Sequence, residues 1–293
     1  MKTYVNGSTN RISKIILKFV STPKTFLERA QKEEPEKLPF LIKAKHKVNT
    51  QTYQDFDFHT INEKSKNNLH IVYFHGGALC LNGGLAEWMM IDKWVKKTDA
   101  KASYVIYPLI PQYKTQEIYD LSYGIYEQIL SKYPNDEMIL IGSSAGGLVI
   151  LSILQLIKKR NIKKPALNIL LSPWIDFSLS HPDIPLYETK DKVLSLARFK
   201  GIEDYDNLDK KSGIMNPLEY EYDEPIHIYG GTNDMLYPDM LLFEDNNPKI
   251  DLKIYYNCPH VFMLLPMKQS KVVHKEISES INLLKQKVLT YKE

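Results

Sequence analysis

The chain has 293 residues, 43% of them hydrophobic and 25% charged, which is ordinary for a globular protein with room for a large core. A formal charge of +3 with no aromatic–basic interleaving argues against a nucleic-acid partner. Two cysteines, Cys80 and Cys258, give neither a disulfide framework nor a Cys-X-X-Cys pair, so no structural metal is expected, and that usage is compatible with a reducing cytoplasm.

The first residues are basic but lack a signal-peptide core, because Lys18 interrupts Ile15-Ile16-Leu17 and no small-residue cleavage site comes after it. No apolar run approaches the roughly 18 residues of a membrane span, so a cytoplasmic protein without stable membrane insertion is expected. Residues 1 to about 45 read as helical and polar. Ile12, Ile15, Ile16, Phe19 and Val20 fall at helical spacing on one face, and Pro35 and Pro39 interrupt the chain beyond them.

From His46 to Ile61, alternation of Val48, Tyr53, Phe56 and Phe58 with polar neighbours predicts one or two opening strands. Leu69 to Phe74 is a strand that runs into His75-Gly76-Gly77-Ala78. Glycines directly after a buried strand free backbone N–H groups to turn inward, and two such groups aimed at one point make an oxyanion hole. A helix over Leu85 to Lys97, a strand over Ala102 to Tyr107 and a helix over Ile118 to Leu130 come next.

Met138 to Ile141 is a four-residue apolar strand, and it enters Gly142-Ser143-Ser144-Ala145-Gly146, which fits Gly-X-Ser-X-Gly. In such a strand-to-helix turn the apex residue is strained, and small residues two positions either side let strand and helix approach. That spacing selects Ser144 as nucleophile. Were Ser143 the apex, Ile141 would occupy a flanking position that needs a small residue.

A helix down to Arg160 and a strand over Leu167 to Leu171 complete the alternation, which predicts a parallel sheet covered on both faces. Residues 178 to about 222, rich in charge and holding Pro182 and Pro185, break the rhythm and could form a lid. The strand Pro225 to Tyr229 ends in Gly230-Gly231-Thr232-Asn233-Asp234, and the strand Leu252 to Tyr256 ends in Asn257-Cys258-Pro259-His260. A closing helix spans Lys271 to Lys287.

A serine hydroxyl needs an imidazole to take its proton and a carboxylate to orient that imidazole. His260 comes after Ser144 in a loop directly beyond a strand, whereas His227 lies inside a strand and His274 on the last helix. Asp234 occupies the equivalent position for the acid, with Asp239 and Asp176 as alternatives; Asp176 is the better candidate for anchoring its own loop.

Together, His-Gly-Gly-Ala at 75–78, Gly-Ser-Ser-Ala-Gly-Gly at 142–147, Ser-Pro-Trp-Ile-Asp at 172–176, Gly-Thr-Asn-Asp at 231–234 and His260 resemble the hormone-sensitive-lipase family of α/β-hydrolases. The resemblance implies an α/β-hydrolase fold with a mostly parallel central sheet, helices on both faces, and a helical cap built from about 1–45 and 178–222. It implies hydrolysis of small esters with short to medium acyl chains through Ser144, His260 and Asp234, without metal or organic cofactor. It also implies an oxyanion hole of Gly76, Gly77 and Ala145, and substrate contacts at His75, Ala78 and Ser143, with Ala78 standing where a third glycine is common. Acyl transfer on the same triad, or a small-ligand receptor on the same scaffold, are the competing readings, and a homodimer stays open.

Overall fold

A computed structural model describes residues 2–6, 24–34, 36–208 and 213–286, and the main chain of 287–290. The amphipathic helix expected over Ile12 to Val20 lies outside the described residues.

Nine strands form one sheet: β1 (Lys2–Val5), β2 (Asn49–Tyr53), β3 (Phe56–Ile61), β4 (Leu69–Phe74), β5 (Lys101–Val105), β6 (Glu137–Ser143), β7 (Leu167–Leu171), β8 (Ile226–Asn233) and β9 (Asp251–Pro259). Their order is β1-β9-β8-β7-β6-β4-β5-β3-β2. All pairings are parallel except β2 with β3 and β3 with β5. This is the mostly parallel α/β sheet expected from the alternation.

The central strands are apolar throughout because both sheet faces are covered. Every residue of β4 is buried. Val72 and Phe74 join one core while Ile71 and Tyr73 join the other, as the two-residue strand period dictates. Helices α1 (Phe26–Ala30) and α2 (Phe40–Lys45) precede β2, and α3 (Leu85–Thr98), α4 (Thr115–Lys132) and α5 (Ala145–Arg160) cross over between strands. Ile118 and Leu148 join the core with Val72 and Phe74; Trp88 and Trp94 join the one with Ile71 and Tyr73. The parallel connections gather the carboxyl ends of β4, β6, β7, β8 and β9 along one edge, where sites in open α/β sheets form.

One element differs from the sequence reading. The first 45 residues were expected to be helical, yet Lys2-Thr3-Tyr4-Val5 adds a parallel edge strand to β9. Four residues carry no period; the pairing partner some 250 residues away decides the conformation. The excursion between β7 and β8 holds two short helices, α6 (Ile184–Glu188) and α7 (Leu196–Phe199). A further helix, α8 (Tyr237–Asn246), comes after β8, and the closing helix α9 spans Lys268–Thr290.

The turn from β6 into α5 depends on its glycines. A Cβ on Gly146 would lie 2.1 Å from the Phe74 carbonyl oxygen, and one on Gly142 would lie 2.5 Å from the Gly146 carbonyl oxygen. Both obstacles are main chain, so neither can swing aside. Gly146→Ala is therefore expected to destabilise the fold by about 1–3 kcal/mol, despite alanine's better helix propensity, as measured by urea unfolding. An unchanged midpoint would show that β4 and α5 can separate without penalty.

Candidate active site

Ser144 caps the N-terminus of α5 with φ 51° and ψ −116°, a strained conformation for a residue with a Cβ. Three main-chain bonds hold it there: its N–H donates to the Leu171 carbonyl at 2.9 Å, and its carbonyl accepts from Gly147 N–H at 2.9 Å and Trp174 N–H at 3.0 Å. The Oγ lies 2.9 Å from Nε2 of His260. Nδ1 of His260 lies 3.0 Å from both carboxylate oxygens of Asp234, which is fully buried. The loops after β6, β8 and β9 thus bring together the three residues selected from sequence.

The support around them is main-chain rich. Asp234 Oδ1 also accepts from Leu236 N–H at 2.9 Å. The turn after His260 is fixed by Val261 N–H donating to Ser172 Oγ at 3.0 Å, with both residues at positive φ. Burial pulls the His260 imidazole down, but the charge and hydrogen bond of Asp234, joined by the charge of Asp191, outweigh it and raise its pKa above 6.5.

The rival acids sit differently. Asp176 accepts from Ser178 and Ser180, main chain and hydroxyl, and from Asn216, so it ties down its own loop. Asp239 is buried with neither oxygen partnered, and burial, with the charges of Asp176 and Asp234, pushes it up to about 7.

The residues expected around the oxyanion and substrate divide. Gly77 and Ala78 line the cavity with Ser144, and their N–H groups, like that of Ala145, have no acceptor among the described residues. Gly77 holds φ 112°, and a Cβ on it would meet the Leu81 carbonyl oxygen at 2.2 Å. The Gly76 N–H, expected in the oxyanion hole, instead donates to Glu87 Oε1 at 3.0 Å. Ser143, expected at the substrate, lines the same cavity, with its Oγ bonded to Tyr73 and Glu87. His75 is fully buried, stacks on Tyr107 at 4.2 Å, and donates from Nδ1 to the Gly76 carbonyl, so it shapes the loop from behind.

Glu87 is the functional residue the sequence reading missed. It lies on α3, and one carboxylate oxygen accepts from Tyr73, Gly76 and Ser143, which fastens β4, the glycine loop and the residue before Ser144 together. The available signal was an acidic residue directly beside Trp88, on a helix whose apolar stripe Trp88, Ile91, Trp94 and Val95 is buried.

A cavity of about 460 Å³ opens over Ser144 and His260. Phe26 and Arg29 of α1 (Phe26–Ala30) wall one part, and Val193, Leu194 and Arg198 wall another. Phe26 meets Phe199 edge-on at 4.9 Å, so the two irregular regions touch above the site. Among the described residues no group of three or more His, Cys, Asp or Glu is placed to hold a metal ion, and no helix is long and apolar enough to cross a membrane. Both cysteines are buried and free.

Comparison with known proteins agrees with this arrangement. The chain is 25% identical to an esterase of Acinetobacter venetianus over 193 residues, covering 64% of this chain and 63% of that protein, somewhat less than two thirds of the relative. An esterase from the bacterial hormone-sensitive lipase family superposes with a TM-score of 0.77 at 16% identity, covering 94% of this chain and 98% of that one. A hormone-sensitive lipase from a metagenome library gives 0.76 at 19% identity, covering 95% and 99%. At those identities the structural likeness speaks for the fold. The model of the alpha/beta hydrolase fold family matches residues 71–264, spanning the glycine loop, the Ser144 turn, Asp234 and His260, and the chain belongs to that family.

Proposed function

We propose that the chain is a serine carboxylic-ester hydrolase acting on small esters of short to medium acyl length. The observation that carries this reading is the unbroken chain of contacts from Ser144 Oγ through the His260 imidazole to the Asp234 carboxylate. Its members take ordinary roles. His260 Nε2 accepts the hydroxyl proton as Ser144 attacks the ester carbonyl, while Asp234 holds the Nδ1 proton and stabilises the imidazolium. The N–H groups of Gly77 and Ala145, with Ala78 in the place expected for Gly76, receive the oxyanion at the positive end of α5. His260 returns the proton to the leaving alcohol, then activates water to release the acyl group.

The walls contributed by α1 and by residues 193–198 support a cap drawn from about 1–45 and 178–222, and a cavity of about 460 Å³ suits a small ester. The test is a panel of p-nitrophenyl esters of graded acyl length, run beside labelling with a fluorophosphonate probe. Turnover favouring the shorter chains and one covalent label at Ser144 are expected. A chain that neither turns over any ester nor takes the label would dismiss the reading.

A further inference from the structure

Arg198 is the anomaly of this cavity. It is only 5% exposed, yet it makes no ion pair among the described residues. One Nη1 hydrogen bond to the Val193 carbonyl is its only described hydrogen bond, and Nε is buried without a partner. A buried cation is ordinarily paired, because leaving water without a counter-charge is costly. Burial and the neighbouring Arg29 depress its guanidinium below the usual range, with Asp191 opposing.

Asp191, the carboxylate whose charge acts on it, is committed elsewhere, and so are Glu87 on the cavity wall and Glu28 on α1. Asp191 accepts from the N–H groups of Val193, Leu194 and Met235. Glu87 holds Tyr73, Gly76 and Ser143, and Glu28 closes the cap of α1 on Thr25 N–H. Arg29 also lines the cavity and has no ion pair among the described residues. Outside the described residues, 7–23 contain no Asp or Glu, and Asp209 and Glu293 are the acidic residues there. The guanidinium of Arg198 is centred 4.5 Å from the centre of the Phe26 ring, so an aromatic face rather than a carboxylate lies against it.

We propose that Arg198, seconded by Arg29, binds a carboxylate carried by the substrate, so that the preferred esters are anionic, such as half-esters of small dicarboxylic acids. This rests on the esterase reading above and names its substrate class. Arg198, Ser144 and His260 line one cavity of about 460 Å³, so a carboxylate held by Arg198 and the scissile carbonyl share that space. The planar fork matches a carboxylate in two hydrogen bonds, and the partnerless Nε is one of the donors.

The test compares kcat/KM for 4-nitrophenyl hydrogen adipate with that for 4-nitrophenyl hexanoate, uncatalysed hydrolysis subtracted. A second arm compares 4-acetoxybenzoate with its methyl ester, placing the charge on the alcohol side. The wild-type chain is expected to favour the charged member of one pair, with the preference shrinking as salt rises. Arg198→Met should collapse that charged-to-neutral ratio by about 10- to 100-fold, and Arg198→Lys should restore part of it. Calorimetric binding of glutarate to the wild-type chain needs neither turnover nor a folded variant, and saturable binding is expected. Ratios at or below one in both arms together with no glutarate binding, or a ratio that survives Arg198→Met, would overturn the proposal. Failure to hydrolyse the neutral and charged esters alike would strike the esterase reading instead, while glutarate binding would still decide the role of Arg198.

Discussion

Ser144→Ala is expected to lower kcat for a p-nitrophenyl ester by about 10⁵- to 10⁶-fold while the fold stays intact. The asymmetry arises from what each atom of Ser144 does. Its backbone N–H and carbonyl hold the turn through Leu171, Gly147 and Trp174, and alanine keeps all three bonds. Its Oγ makes one described hydrogen bond, to His260, so its loss costs stability only about 1 kcal/mol. The measurement pairs steady-state kinetics with thermal unfolding. A variant that retains wild-type turnover would show that the bond-making hydroxyl lies elsewhere, and Ser143 is poorly placed to replace it, because Tyr73 and Glu87 already hold it.

What could be read from the sequence was whatever chemistry writes into one short stretch. The Gly142 and Gly146 spacing marked Ser144 because a Cβ at either flank collides with main chain, and that constraint is local. Asp234 and His260 were legible because each comes directly after a strand whose own pattern was plain. The sheet was legible for a similar reason, since strands buried on both faces are continuously apolar.

Other features depend on partners far away in the chain. β1 forms because β9 offers an open edge, a fact absent from Lys2-Thr3-Tyr4-Val5 itself. The Gly76 N–H was expected at the oxyanion, but which amide of a glycine loop turns inward is set by an acceptor on another helix, Glu87 Oε1. In the sequence Arg198 is one more charge in the charge-rich segment 178–222. Its burial against Phe26 of α1 could be seen only once two segments some 170 residues apart were packed together.

Asp191 belongs to that same class and bears on the triad. Its carboxylate bridges Val193 and Leu194, between β7 and β8, to Met235 beside Asp234. Burial and the Asp234 charge raise its pKa, and it in turn helps hold His260 protonated. Residues 193–194 are thereby joined to the loop that carries Asp234, so Asp191, Asp234 and His260 share one electrostatic environment.

Asp234→Asn is expected to cut kcat by about 10⁴-fold, because an amide cannot hold the imidazole in the required tautomer or balance the imidazolium. The pH profile gives a second, independent signature. Catalysis needs neutral His260, and in the wild-type chain Asp234 and Asp191 raise its pKa against the opposing pull of burial. The acidic limb of kcat/KM should accordingly lie above the ordinary histidine value of 6.5. With asparagine at 234 the imidazolium loses its main anionic partner, its pKa falls, and the limb moves to lower pH even as the plateau drops. Asp239→Asn supplies the contrast. Asp239 touches neither His260 nor Ser144, both its oxygens lack partners, and at about 7 it is already largely protonated through the acidic range. A change of no more than a few-fold is therefore expected there. If Asp239→Asn lost as much activity as Asp234→Asn and moved the same limb, the carboxylate that orients His260 would have to be reassigned.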